Sequence, residues 1–167
     1  MIATKENAKR RLMYIQKEDY NFLAYNILLV LNQFNANSES SSFKDFRKIA
    51  YLVHFINLNP NFNSYDQNEL AKIYSQAQLK KQLMSHLLII LRNRKFIGMS
   101  INHIHQSFDI WINEENIPKD FLDKNFFENE INNIQFLKSN ISRLKGITVK
   151  KMVDTIFTKN NIITWEI

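Results

Sequence analysis

Only two glycines and two prolines punctuate 167 residues, and that scarcity constrains the fold more than any other feature. Turn-rich sheets need glycine for positive φ and proline for a fixed φ at their corners. An interior glycine costs a helix about 1 kcal/mol and an interior proline about 3 kcal/mol, so a chain that avoids both favours long helices. The expected class is mainly α with a small β-hairpin. With 45% hydrophobic residues and 13% aromatics, residues 1–167 can fill one core and are expected to form a single domain.

Hydrophobic spacing predicts a first helix over Asp19 to Phe34, where Phe22, Leu23, Ile27, Val30, Leu31 and Phe34 share a stripe. A polar loop follows, and Ser42 with Asp45 three residues on predicts a capping box opening a second helix through Ile56. Two further cap patterns, Asp66 with Glu69 and Ser75 with Gln78, predict a short helix, a tight turn and a longer helix from Gln76 to Arg94. Phe96 to Ile101 and Phe108 to Ile112 then read as a hairpin joined by a polar, His-containing connector. Helix, turn, helix and hairpin in that order describe a winged-helix-like core over about 42–113. Pro118 suits the first turn of a helix, and Phe127, Ile131, Ile134, Leu137, Ile141 and Leu144 predict one long amphipathic helix capped by Gly146. Thr148 is expected to open a last helix, and Ile162 to Ile167 to form a terminal strand, so that a C-terminal helical part occupies about 117–159.

Chemistry is hard to assemble from these residues. There is no cysteine, hence no disulfide, thiolate ligand or thiol nucleophile, which fits a reducing, cytoplasmic location. Gly98 and Gly146 cannot build a phosphate-binding loop. His103 and His105 would share a strand face, with Asp109 or His86 to complete a metal set, but a polar wing tip is the better reading of a lone H-x-H. His54 lies among apolar neighbours and reads as a core or subsurface histidine rather than a catalytic base. Glu114, Glu115, Asp120 and Asp123 read as a solvated helix start rather than acid/base carboxylates. No enzyme activity, metal, cofactor or small-molecule substrate is therefore expected. The basic N-terminal residues lack the apolar run of a secretory signal, and the stretch Ile27 to Leu31 is too short to span a bilayer, so no membrane association is expected.

Charge is more informative. The net charge is +6, which favours anionic partners. Leu79 to Lys95 carries five basic residues and no acid, Lys138 to Lys159 carries six against Asp154, and Asp109 to Glu130 carries seven acids against Lys119 and Lys124. Such segregation suits different partners on different faces. Expected contacts with nucleic acid or protein are Lys80, Lys81, Gln82, Arg92, Arg94, Lys95, Lys150 and Lys151, with Trp111 and Tyr74 either aromatic anchors or ordinary core residues.

The helical opening Tyr20 to Phe34 (YNFLAYNILLVLNQF), the segment Phe43 to Asn57 (FKDFRKIAYLVHFIN) and the helix-then-hairpin Leu79 to Ile101 resemble the small middle components of three-component ABC-ATPase antiviral defence systems, the Lamassu type among them. The resemblance lies in hydrophobicity and length over most of the chain and transfers no catalytic residue. It implies a non-catalytic accessory subunit, or scaffold, bridging an SMC-like ATPase related to the chromosome-maintenance proteins and a separate effector, with DNA contact open. A free-standing winged-helix DNA-binding regulator of transcription, dimeric through its long C-terminal helix, shows the same layout and is the alternative.

Overall fold

The structure is a computed structural model and describes residues 20–166; the basic N-terminal segment, Asp19 and Ile167 lie outside the described residues. Helix α1 occupies residues 20–33. It ends as its sequence allows: Asn35 takes the left-handed conformation (φ 53°) and Ala36 N–H bonds back to Leu31 O at 2.9 Å, so an asparagine does the work usually given to glycine in closing a helix.

Helix α2, Arg47–Asn57, is the centre of the molecule. Eight of its eleven residues are buried, and it packs against α3 (Gln67–Asn93), α4 (Glu128–Asn140) and α5 (Val149–Ile156). The expected Ser42–Asp45 capping box does not form: Phe46 is the N-cap without a side-chain bond. Asp45 instead sits at φ 60° and spends its carboxylate on Arg47 and Ser107. A single cluster of buried side chains runs from Leu23 to Ile162.

Helix α3 corrects the predicted turn. The Asp66–Glu69 capping box is present in both directions, but the helix continues unbroken through Ser75 for 27 residues. No glycine or proline falls inside it, so nothing opposes propagation, and Ser75 lies on an exposed helix face rather than at a cap. The predicted helix-turn-helix between Asp66 and Arg94 is therefore absent. The helix closes at Lys95, left-handed at φ 63°, with Phe96 N–H bonded to Leu91 O at 3.0 Å.

The hairpin forms where the sequence places it. Strands β1 (Ile97–Asn102) and β2 (Ser107–Ile112) pair antiparallel with Gly98 opposite Trp111. Phe43 adds a bridge to Ile110 on the far side of β2, and Ala36 O accepts from Ile112 N–H at 2.7 Å, so residues 36–46 run along the hairpin and fix it to the core.

Four C-terminal expectations fail in detail. Pro118 precedes only a 3-10 turn, Lys119–Leu122. Helix α4 stops at Asn140, and Ile141 and Leu144 reach the core from turns. The left-handed residue there is Arg143 (φ 56°), not Gly146. Residues 162–166 are not a paired strand: they form a strap whose inward Ile162 is buried and whose outward Ile163 is 89% exposed. Thr148 does cap α5, accepting from Lys151 N–H. Among the described residues no helix is long and apolar enough to cross a membrane.

Candidate interaction surfaces

The buried ionisable groups are held by specific internal partners. Arg47 forks onto Asp45 through Nε (2.9 Å to Oδ1) and Nη2 (2.7 Å to Oδ2), and Ser107 Oγ donates to Oδ1 at 2.8 Å. Burial alone would raise the Asp45 pKa, but the Arg47 and Ser107 hydrogen bonds outweigh it and hold it below the usual carboxylate value. Asp109 accepts from Asp45 N–H (2.9 Å) and Asn102 Nδ2 (3.1 Å) and pairs with Lys44 at 3.4 Å. Lys48 is fully buried. Its Nζ donates to Leu144 O at 2.6 Å and Lys145 O at 3.1 Å and lies 4.5 Å from the Phe43 ring centre. Burial pushes the amine down to about 7, against the attraction of Asp45 and Asp109.

A second polar cluster joins the strap to α2 and α3. Tyr51 and Tyr74, both buried, donate to the Glu166 carboxylate, and Lys81 Nζ pairs with it at 3.3 Å while donating to Tyr51 Oη at 2.8 Å. Trp165 stacks edge-on against Tyr74 at 4.7 Å, and its backbone N–H donates to the Tyr74 hydroxyl. Burial pushes the Lys81 amine down and the Glu166 carboxyl up.

Above the first cluster the tip of the hairpin projects, with Ile104 88% exposed. One groove of about 470 Å³ lies between the tip and residues 146–148, with Lys44, His103 and His105 on its walls. Another of about 400 Å³ shares Ile104, His105 and Thr148 and adds Arg47, Lys150 and Trp165. Among the described residues no three His, Asp or Glu side chains gather as a metal-holding group. The backbone explains the tip: Arg47 Nη2 donates to His105 O, and Asn102 Oδ1 accepts from His105 N–H.

At the other end of the hairpin a groove of about 430 Å³ opens between α1, the last turns of α3 and residues 117–121. Its walls are apolar and aromatic, with Tyr25, Leu28, Ile90, Phe96 and Phe121 among them, and Arg94 is the single charged side chain among the described residues that line it. The rings of Tyr25, Phe121 and Phe127 pack against one another in tilted pairs, with centroids 5.2–5.7 Å apart.

The contact residues expected from sequence fall into separate places. Arg92, Arg94 and Lys95 are exposed together at the end of α3, and Gln82 is exposed earlier on that helix. Lys150 and Lys151 are exposed on the first turn of α5, beside the hairpin tip. Lys80 is half-buried at a small recess with Phe22, His54 and Leu58. Lys81 is committed to Glu166 and Tyr51 inside the molecule. Trp111 is half-buried over Gly98, and of the two readings open for Tyr74, exposed anchor or core residue, the structure has the core residue. His54 is half-buried against Phe55 and Tyr65. Sequence reasoning missed Trp165, which is 60% exposed; its signal was the alternation of Ile163 and Trp165 with inward Ile162 and Glu166. No family model matches the chain, and no curated protein or solved structure shows significant similarity to it.

Proposed function

We propose that this chain is a non-catalytic accessory subunit that couples two other macromolecules, one at each end of its hairpin. The observation that carries the reading is the placement of the two surfaces. Phe96 lines the apolar groove and Ile101 the hairpin-tip groove, five residues apart along an extended strand, or about 17 Å at 3.3 Å per residue. A rigid ribbon of that length, fastened on both sides to the core, holds two partners in fixed relation. In the setting that the resemblance implies, one partner is the SMC-like ATPase and the other the effector.

The test is retrieval of the tagged chain from its native cells with identification of what accompanies it. Arg94→Glu, at the groove, and Ile104→Asp, at the tip, are each expected to lose a different companion while keeping the other. Loss of the same companion by both, or of none by either, refutes the bridging role.

A second reading rests on Arg92, Arg94 and Lys95, three exposed cations with no ion pair among the described residues. In it the basic end of α3 and the hairpin that follows bind DNA as a transcription regulator. Phosphate contacts predict affinity that falls with salt by about 0.9 log units per contact. Titration against random and candidate operator duplexes at near-physiological salt discriminates: a thousandfold preference for one duplex, about 4 kcal/mol, favours the regulator, whereas weak and sequence-indifferent binding favours the accessory subunit.

A further inference from the structure

We infer that Tyr51, Tyr74 and Lys81 form a ready-made carboxylate-binding site on α2 and α3, that the strap fills it with Glu166 as a built-in ligand, and that a partner's segment of like chemistry, an aromatic residue followed by an acidic one, takes the site when the strap lifts. The inference goes beyond the accessory role and does not depend on it. Three donors from two helices meet one oxygen: the hydroxyls of Tyr51 and Tyr74 and the ammonium of Lys81 all donate to Glu166 Oε1. Those donors are held by the core and by one another, not by the strap. The rings of Tyr51 and Tyr74 stack at 5.6 Å and both pack against Phe157. Gln78 Nε2 donates to Tyr51 Oη at 3.2 Å and to Tyr74 O at 3.0 Å, and Lys81 Nζ donates to Tyr51 Oη at 2.8 Å. With both lone pairs of the Tyr51 hydroxyl taken, its proton is left for an acceptor at the place where Glu166 sits. A site shaped before its ligand arrives costs that ligand little ordering.

Charge sets the class of ligand. Lys81 has Glu166 as its one ion-pair partner among the described residues, with its side chain 20% exposed. Arg47 stands nearby but is forked onto Asp45, so that pair adds no net charge and Lys81 decides the sign. A lifted strap leaves a half-buried ammonium unpaired and two phenols without an acceptor, a vacancy that an anion relieves. The edge-on contact of Trp165 with Tyr74 supplies the place for an aromatic residue before the acid. The strap itself is lightly held. Ile162 N–H bonds to Phe157 O, but residues 163–166 make no backbone–backbone hydrogen bond among the described residues. Their other ties are the hydroxyl pair Thr158–Thr164 and the Trp165 N–H on Tyr74. Glu166 also borders the groove of about 400 Å³ that leads to the hairpin tip, past Arg47, His105 and Lys150 and with Asp45 as its other carboxylate. An incoming segment thus has a path to the site.

The test uses the full chain and a fluorescent, amidated peptide with the sequence of residues 161–166, Asn-Ile-Ile-Thr-Trp-Glu, in which the glutamate side chain is the one carboxylate. Glu166→Gln keeps the shape of the strap's anchor and removes its charge, and this variant is expected to bind the peptide in anisotropy titrations. Wild type should bind it about tenfold more weakly, the factor that follows if its own strap fills the site about nine-tenths of the time. A peptide ending in glutamine should lose the binding, and so should Lys81→Met placed in the Glu166→Gln chain; circular dichroism identical to wild type separates lost binding from lost fold. Equal binding of the two peptides, binding indifferent to Lys81→Met, or no binding to Glu166→Gln overturns the inference. As a second measurement, sodium acetate should raise the melting temperature of Glu166→Ala above its value in sodium chloride of equal ionic strength. Equal effects of the two salts also overturn the site. Sedimentation of the wild type covers the other occupant: a concentration-dependent dimer that the glutamate peptide dissociates assigns the site to the strap of a second copy and rejects the partner segment.

Discussion

At the scale of single residues, Gly98 and Lys48 show how little of a side chain's environment is local. A Cβ built on Gly98 would lie 2.1 Å from the Trp111 indole across the hairpin, so the glycine is there for the approach of a ring and not for a turn. Gly98→Ala must displace that ring, and we expect a loss of about 1–3 kcal/mol in urea denaturation together with a shift of tryptophan emission. Lys48 offers a prediction whose sign follows from its depressed pKa. Below pH 7 its amine is charged in the folded and the unfolded chain alike. Between about 7 and the ordinary lysine value of 10.5 the unfolded chain holds the extra proton, so Lys48 makes stability rise with pH, by at most about 1.4 kcal/mol per unit. Lys48→Met removes that slope and leaves the carbonyls of Leu144 and Lys145 without this donor. The cost of the substitution should therefore grow from pH 7 to pH 10, which paired denaturation curves at several pH values would show; a cost independent of pH would contradict the assignment.

At the scale of elements, caps divide into those that sequence discloses and those that it only suggests. Asp66→Ala and Thr148→Ala should each cost about 1 kcal/mol, because both side chains accept from the backbone N–H three residues on. Ser75→Ala, by the same spacing expected to be costly, should instead be neutral or stabilise by a few tenths of a kcal/mol, since Ala has the higher propensity at an exposed helix interior. The motif is identical; the difference is that Asp66 follows a 3-10 turn, Phe62–Ser64, and an extended Tyr65, whereas nothing before Ser75 stops the helix. Apolar spacing was enough to locate α2, the hairpin and α5, because each has a period of its own. It could not locate the apolar groove, whose walls come from residues as far apart as Tyr25 and Phe121, nor see that Lys81 turns inward to meet Glu166. Relieving the left-handed backbone of Lys95 (φ 63°) by Lys95→Gly should raise stability by roughly 0.5–1 kcal/mol in thermal or chemical denaturation.

At the scale of the whole molecule, the strap is the element that unites distant parts. Glu166→Ala would leave Lys81 without its counter-charge and two buried phenols without an acceptor, and we expect a loss of about 1–3 kcal/mol with greater acrylamide quenching of Trp165. Unchanged stability and quenching would mean that the strap is only laid on the surface. The contact between Tyr51 and Glu166 spans 115 residues of chain, so the strap ties the last described residues to the central helix, and wherever it lifts, the hydroxyls of Tyr51 and Tyr74 lose their acceptor and open to water at the edge of the core.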